Sequence, residues 1–199
     1  MKTGWAALVA AMLLPLPAAA DNIDKLVGRE ITVEVVALDG NTLLVLGPAR
    51  PPDLPEILGP PIGPTLFESG ETRIRLWGIS APEISGSGGW AARAMLDALL
   101  SLGEVERAGS FEAVATMAVT CRTTSVHGRG TNTDLVARCG NREERDLGEA
   151  MLREGFAIAN RTVTWADPAN AETLAFARLY DLRERLARQE RRGLWSLRP

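Results

Sequence analysis

The chain has 199 residues, 46% of them hydrophobic and 24% charged, a balance that supports one folded domain and excludes a long disordered or fibrous chain. A net charge of −3 excludes an extended basic nucleic-acid-binding tail, so any grip on phosphate has to be local. All of the 22 basic side chains except Lys2 and Lys25 are arginine, a skew that a GC-rich genome accounts for more simply than phosphate binding does.

Lys2, the apolar run Trp5 to Leu14, the helix breakers Pro15 and Pro17, and Ala18-Ala19-Ala20 before Asp21 read as a secretory signal peptide cleaved after Ala20. The apolar run is too short to span a hydrocarbon core of ~30 Å, so no membrane association is expected after cleavage. The residue directly after the cleavage point is Asp21, not a cysteine, which argues against a lipid anchor. Residues 21–199 are expected to form a single domain, exported to a periplasm or beyond, and a monomer.

Arg29 to Leu38 is rich in β-branched residues, Asp39-Gly40-Asn41 is a turn signal, and Thr42 to Leu46 resumes an apolar strand: together they predict a β-hairpin. The segment 47–70 carries seven prolines and is expected to be a long loop. Thr72 to Trp77 alternates as a third strand. From Gly89 a helix is predicted, with Trp90, Ala94, Leu96, Leu99 and Leu100 on its apolar face and Gly103 as its stop. Val114 to Cys121 and Leu135 to Cys139 read as two more strands. Asp146 is placed to cap a helix over LGEAMLRE, with Gly155 at its end. Ala171 to Arg192 reads as an amphipathic helix carrying Leu174, Tyr180, Leu182 and Leu186, and its RERLARQERR stretch as a solvated face. Trp77, Trp165 and Trp195 read as packing residues. The order predicts an α+β, mainly β domain: a small barrel of five antiparallel strands, of the oligonucleotide/oligosaccharide-binding (OB) type, with about three helices.

In an oxidising compartment the two cysteines, Cys121 and Cys139, predict one disulfide, and antiparallel pairing of their strands would bring them within reach. Two cysteines cannot close a four-ligand zinc site. A single histidine, His127, excludes most hydrolase arrangements built on a Ser-His or Cys-His pair, and is itself expected in a loop.

Three stretches carry candidate chemistry: Asp39-Gly40-Asn41-Thr42, then Arg75 followed by Gly78-Ile79-Ser80-Ala81-Pro82-Glu83, then His127-Gly128-Arg129-Gly130. With the DLGEAMLREGFA helix and the arginine-rich helix ending in RRGLW, they make the chain resemble the staphylococcal nuclease-like (thermonuclease) family from about Ile31 to Trp195. The resemblance implies a Ca²⁺-dependent hydrolysis of phosphodiester bonds in DNA or RNA, with single-stranded nucleic acid as partner. In such a site two aspartates and a backbone carbonyl hold the ion, a glutamate serves the attacking water and two arginines neutralise the phosphate.

Carried over residue by residue, Arg75 and Arg129 match the arginines and Glu83 the general base. The carbonyl ligand falls on Ala81. The two aspartate positions fall on Asn41 and Ser80, both neutral. Even at an effective dielectric of about 20, a divalent ion loses several kcal/mol for each carboxylate removed at contact distance. The expectation is therefore a nuclease-like protein with an impaired or absent Ca²⁺ centre. Asp39 is the one nearby carboxylate available as a substitute, and its simpler role is to cap the hairpin turn. Two further readings are an active metal-dependent nuclease with a rearranged site, and an envelope protein-interaction module contacting partners through the Pro-rich loop.

Overall fold

A computed structural model describes residues 27–48, 71–101, 117–127, 132–164 and 170–197. The signal-like segment, residues 49–70 of the Pro-rich loop, Gly103, Val114 to Thr116, Arg129 and Trp165 lie outside the described residues.

Five strands close a barrel in the order β1-β2-β3-β6-β5. They are β1 (Glu30–Ala37), β2 (Thr42–Pro48), β3 (Glu71–Leu76), β5 (Met117–His127) and β6 (Asn132–Gly140). Alternation drives β1 inward at Val33, Val35 and Ala37, and the same period places Leu43, Ile74, Val119, Leu135 and Ala137 in the barrel core. Two short strands, β4 (Ile79–Ser80) and β7 (Ile158–Ala159), pair outside the barrel; neither is predicted from sequence, because two residues carry no periodicity.

The barrel is mixed, not all antiparallel as predicted. β3 and β6 run parallel, with Arg75 opposite Val136. The long connection through α1 (Gly89–Ser101) and β5 supplies the crossover that parallel neighbours need. β2 runs two residues past Leu46, β6 begins three before Leu135, and β5 continues six past Cys121 to end on His127, which is therefore a strand residue. The disulfide forms as expected: Cys121, inside β5, faces Cys139, next to last in β6, with Cα atoms 4.0 Å apart, and both are buried.

Helices α1, α2 (Leu147–Arg153) and α4 (Ala171–Gln189) cover the barrel, with a single turn, α3 (Arg161–Thr164), before α4. The buried face of α1 is Gly89, Ala92, Leu96, Leu99 and Leu100, while the predicted Trp90 and Ala94 are exposed. Asp146 caps α2 as predicted, its Oδ1 accepting from the Glu149 amide at 3.0 Å, and Gly155 follows the helix with φ +77°. The face α4 buries is Ala177, Tyr180, Glu184 and Ala187; the predicted Leu182 and Leu186 lie outside it. Trp77, Phe176 and Tyr180 form an aromatic cluster with centroids 5.7–6.4 Å apart, so Trp77 is a packing residue as expected. A final 3-10 turn (Gly193–Leu197) carries Trp195, over which Arg188 stacks at 4.2 Å.

Candidate active site and an adjoining groove

The β1–β2 turn is drawn onto β4. Gly40 is the contact point: a Cβ there would lie 2.6 Å from the Cβ atoms of both Ala81 and Ala92, so only glycine lets the turn approach this closely. Asp39 folds onto its own turn, its Oδ1 accepting from the Asn41 amide N–H at 2.8 Å. The simpler of its two readings therefore describes its geometry: Asp39 caps the hairpin.

Asn41 joins three strands. Its backbone oxygen accepts from Leu76 N–H at 2.8 Å, its side-chain Nδ2 donates to the Ile79 carbonyl at 3.5 Å, and its Oδ1 accepts from the Thr42 hydroxyl at 3.4 Å. Ser80 pairs with Ile158 across β4–β7, and its Oγ accepts from Asn160 Nδ2 at 3.4 Å. Ala81, next in the chain, is half-buried against the core. Arg75 sits opposite Thr42 in the β2–β3 register, its side chain exposed and without an ion-pair partner among the described residues. Glu83 is also exposed and unpaired in the same sense, while its backbone oxygen accepts from Gly86 N–H at 2.8 Å. That backbone is pinned against α1, since a Cβ on Gly89 would fall 1.9 Å from the Glu83 oxygen. The fold thus gathers Asn41, Ser80, Ala81 and Arg75 around the β1–β2 turn and β4, with Glu83 at the entrance to α1.

A Ca²⁺ ion demands six to eight oxygens, several of them anionic. The oxygens here belong to an amide, a hydroxyl and a backbone carbonyl. The amide and hydroxyl oxygens already accept from Thr42 and Asn160. No group of three or more His, Cys, Asp or Glu among the described residues could hold a metal. These residues do not fit Ca²⁺.

Carboxylates are instead concentrated on the helical side, where sequence reasoning assigned no role beyond Asp146. Glu184 is fully buried, accepts from Ala159 N–H at 3.0 Å, and is ion-paired to Arg161 at 3.4 Å and to Arg188. Its burial corrects the view of RERLARQERR as a solvated face. Arg153 bridges Glu144, Glu154 and Glu149 at 2.7, 2.9 and 3.5 Å, and the Glu144 hydrogen bond does most to hold its guanidinium protonated. Tyr180 donates to Asp146 at 2.9 Å. Burial pushes the Asp146 carboxyl above its ordinary range, against the opposing pull of its hydrogen bonds, and burial beside that carboxylate pushes the Tyr180 phenol up as well.

No family model and no curated protein matches the chain.

Beside the β5–β6 face, a groove of about 550 Å³ opens between the barrel, α3 and the start of α4. His127 lies on its rim, with Nε2 3.2 Å from the Ser125 hydroxyl. Arg138 stacks on Phe176, guanidinium to ring centroid 3.6 Å, and pairs with Glu172 at 2.7 Å; Arg122 approaches the same Glu172 oxygen at 3.6 Å. The sequence offered no signal for this cluster, because its members come from three separated segments.

Proposed function

We propose that this chain is an exported member of the staphylococcal nuclease-like family whose Ca²⁺ centre is lost, leaving a barrel that binds single-stranded nucleic acid weakly through Arg75 and Arg129. One observation carries the reading: at the two positions where the family resemblance calls for metal-bound carboxylates stand Asn41 and Ser80, and their side-chain oxygens are engaged in hydrogen bonds within the fold. The motif order and the closed five-stranded barrel support the family assignment. The signal-like N-terminus and the Cys121–Cys139 disulfide support export. Asp39, the available substitute ligand, uses one carboxylate oxygen in capping its own turn, which favours the hairpin role over a rearranged active site.

In this reading Arg75 offers its exposed guanidinium to a phosphodiester, a charge-assisted contact that needs no metal. Glu83, with no bound ion to orient a water for it, stays a solvated carboxylate at the same mouth.

The test restores the charge. The double change Asn41→Asp with Ser80→Asp should raise Ca²⁺ affinity by orders of magnitude and bring Ca²⁺-dependent cleavage of single-stranded DNA, provided Glu83 and the arginines are in position. In the parent chain, Arg75→Gln should weaken single-strand binding severalfold in a low-salt filter-binding assay. A folded double variant that binds no Ca²⁺, together with oligonucleotide binding indifferent to Arg75, would refute the assignment.

A further inference from the structure

We propose that the groove beside β5 and β6 is a second binding site, independent of the nuclease-like one, for a small organic oxyanion: a carboxylate or phosphate group carried on an apolar body and taken up in place of Glu172. Two guanidiniums, Arg122 and Arg138, converge on one carboxylate oxygen, Glu172 Oε1. The Arg138 side chain is only 17% exposed and is held flat on Phe176, so its donors are fixed in direction before any ligand arrives. Glu172 is 53% exposed and sits in the first turn of α4, free to swing into solvent. The chain's own carboxylate thus occupies the position a ligand's oxyanion would take.

Charge and size narrow the ligand. Two arginines against one glutamate leave the pocket one positive charge in excess, and release of Glu172 leaves two, which suits a carboxylate or a phosphate monoester. The groove is open to solvent, and its volume of about 550 Å³ accommodates a small molecule with one side exposed. Trp77, Val136, Val163 and Phe176 give the walls their apolar character. Thr123 lines the same groove, is fully buried, and has a hydroxyl without a hydrogen-bond partner among the described residues. With no accessible surface, that hydroxyl lies behind the groove wall, so recognition rests on the two arginines and the apolar walls.

Titration calorimetry of the purified chain with 4-phenylbutanoate, phenyl phosphate and inorganic phosphate tests the proposal. The two phenyl compounds should bind at least tenfold tighter than inorganic phosphate, and whichever of them is preferred identifies the head group. Glu172→Gln should tighten binding about tenfold by removing the internal competitor, a direction that loss of a merely structural ion pair does not produce. Arg138→Gln should weaken binding tenfold or more. Arg122→Gln, on a half-exposed side chain, should weaken it severalfold and serves if the Arg138 variant fails to fold. No binding of either phenyl compound overturns the proposal. So does inorganic phosphate binding as tightly as both, or a Glu172→Gln variant with unchanged or weaker affinity.

Discussion

Two neighbouring regions of the molecule treat carboxylates in opposite ways. On the helical side Glu184, Asp146, Glu144 and Glu149 are buried or half-buried, and each is matched by an arginine, a tyrosine or a backbone amide. At the β1–β2 turn and β4, where a divalent ion would need the same groups, the positions are held by Asn41 and Ser80, while Arg75 and Glu83 stand exposed. Removing a carboxylate from the first region leaves cations and amides without partners. Removing carboxylates from the second leaves a fold that closes its own hydrogen bonds. The buried charge of this chain holds helices together, and the β1–β2 turn and β4 carry none.

The largest stability effect should come from Glu184→Ala. The change strands Ala159 N–H and takes an ion-pair partner from Arg188 and Arg161, but both arginines are about half exposed and Arg161 keeps Asp181 at 3.1 Å, so the loss should be about 2 kcal/mol, below that of a fully buried pair. Urea unfolding measures it, and a loss under about 1 kcal/mol would mean the helical side is not held as described. Asp146→Ala should cost about 1–2 kcal/mol through the lost helix cap, with the Tyr180 hydroxyl left unpaired in addition.

The same aspartate sets a pH dependence. Its folded pKa lies above the unfolded one, so the native state binds this proton more readily. The stability it contributes is present at low pH and is lost as pH rises through the raised pKa. Asp146→Asn keeps the capping oxygen and should flatten that part of the pH–stability curve. A curve unchanged by the substitution would contradict the assignment.

Smaller still is the expected effect at the β1–β2 turn and β4. Asn41→Ala or Ser80→Ala removes only long hydrogen bonds of 3.4–3.5 Å and should cost less than about 1 kcal/mol in the same urea assay. Arg75→Gln and Glu83→Gln, both on exposed side chains, should change stability by no more than about 0.5 kcal/mol. Equal losses at Asn41 and Glu184 would erase the contrast between the two regions.

Much of the barrel was legible because alternation is a local signal: β1 and β2 with Asp39-Gly40-Asn41 between them, β3 over Thr72 to Leu76, and the cap and stop of α2 were all readable from short windows. The parallel β3–β6 pairing was not, since neighbours brought together by a long crossover leave no mark in either strand. Glu184 was misread because its charge outweighed its place in the series Ala177, Tyr180, Glu184, Ala187, whose spacing marks the buried stripe. Leu182 and Leu186 were misassigned to that stripe by their apolar character alone. Asn41 and Ser80 stood out as neutral residues where the resemblance calls for aspartates, but only the fold reveals that Thr42 and Asn160 already use their oxygens.

The most direct test is cleavage of single-stranded DNA and RNA by the purified chain in Ca²⁺, Mg²⁺, Mn²⁺ or chelator, beside Glu83→Gln. No metal-dependent cleavage by a folded protein is the predicted result. Metal-dependent cleavage abolished in Glu83→Gln would contradict it and establish that Asn41 and Ser80 support a working metal centre.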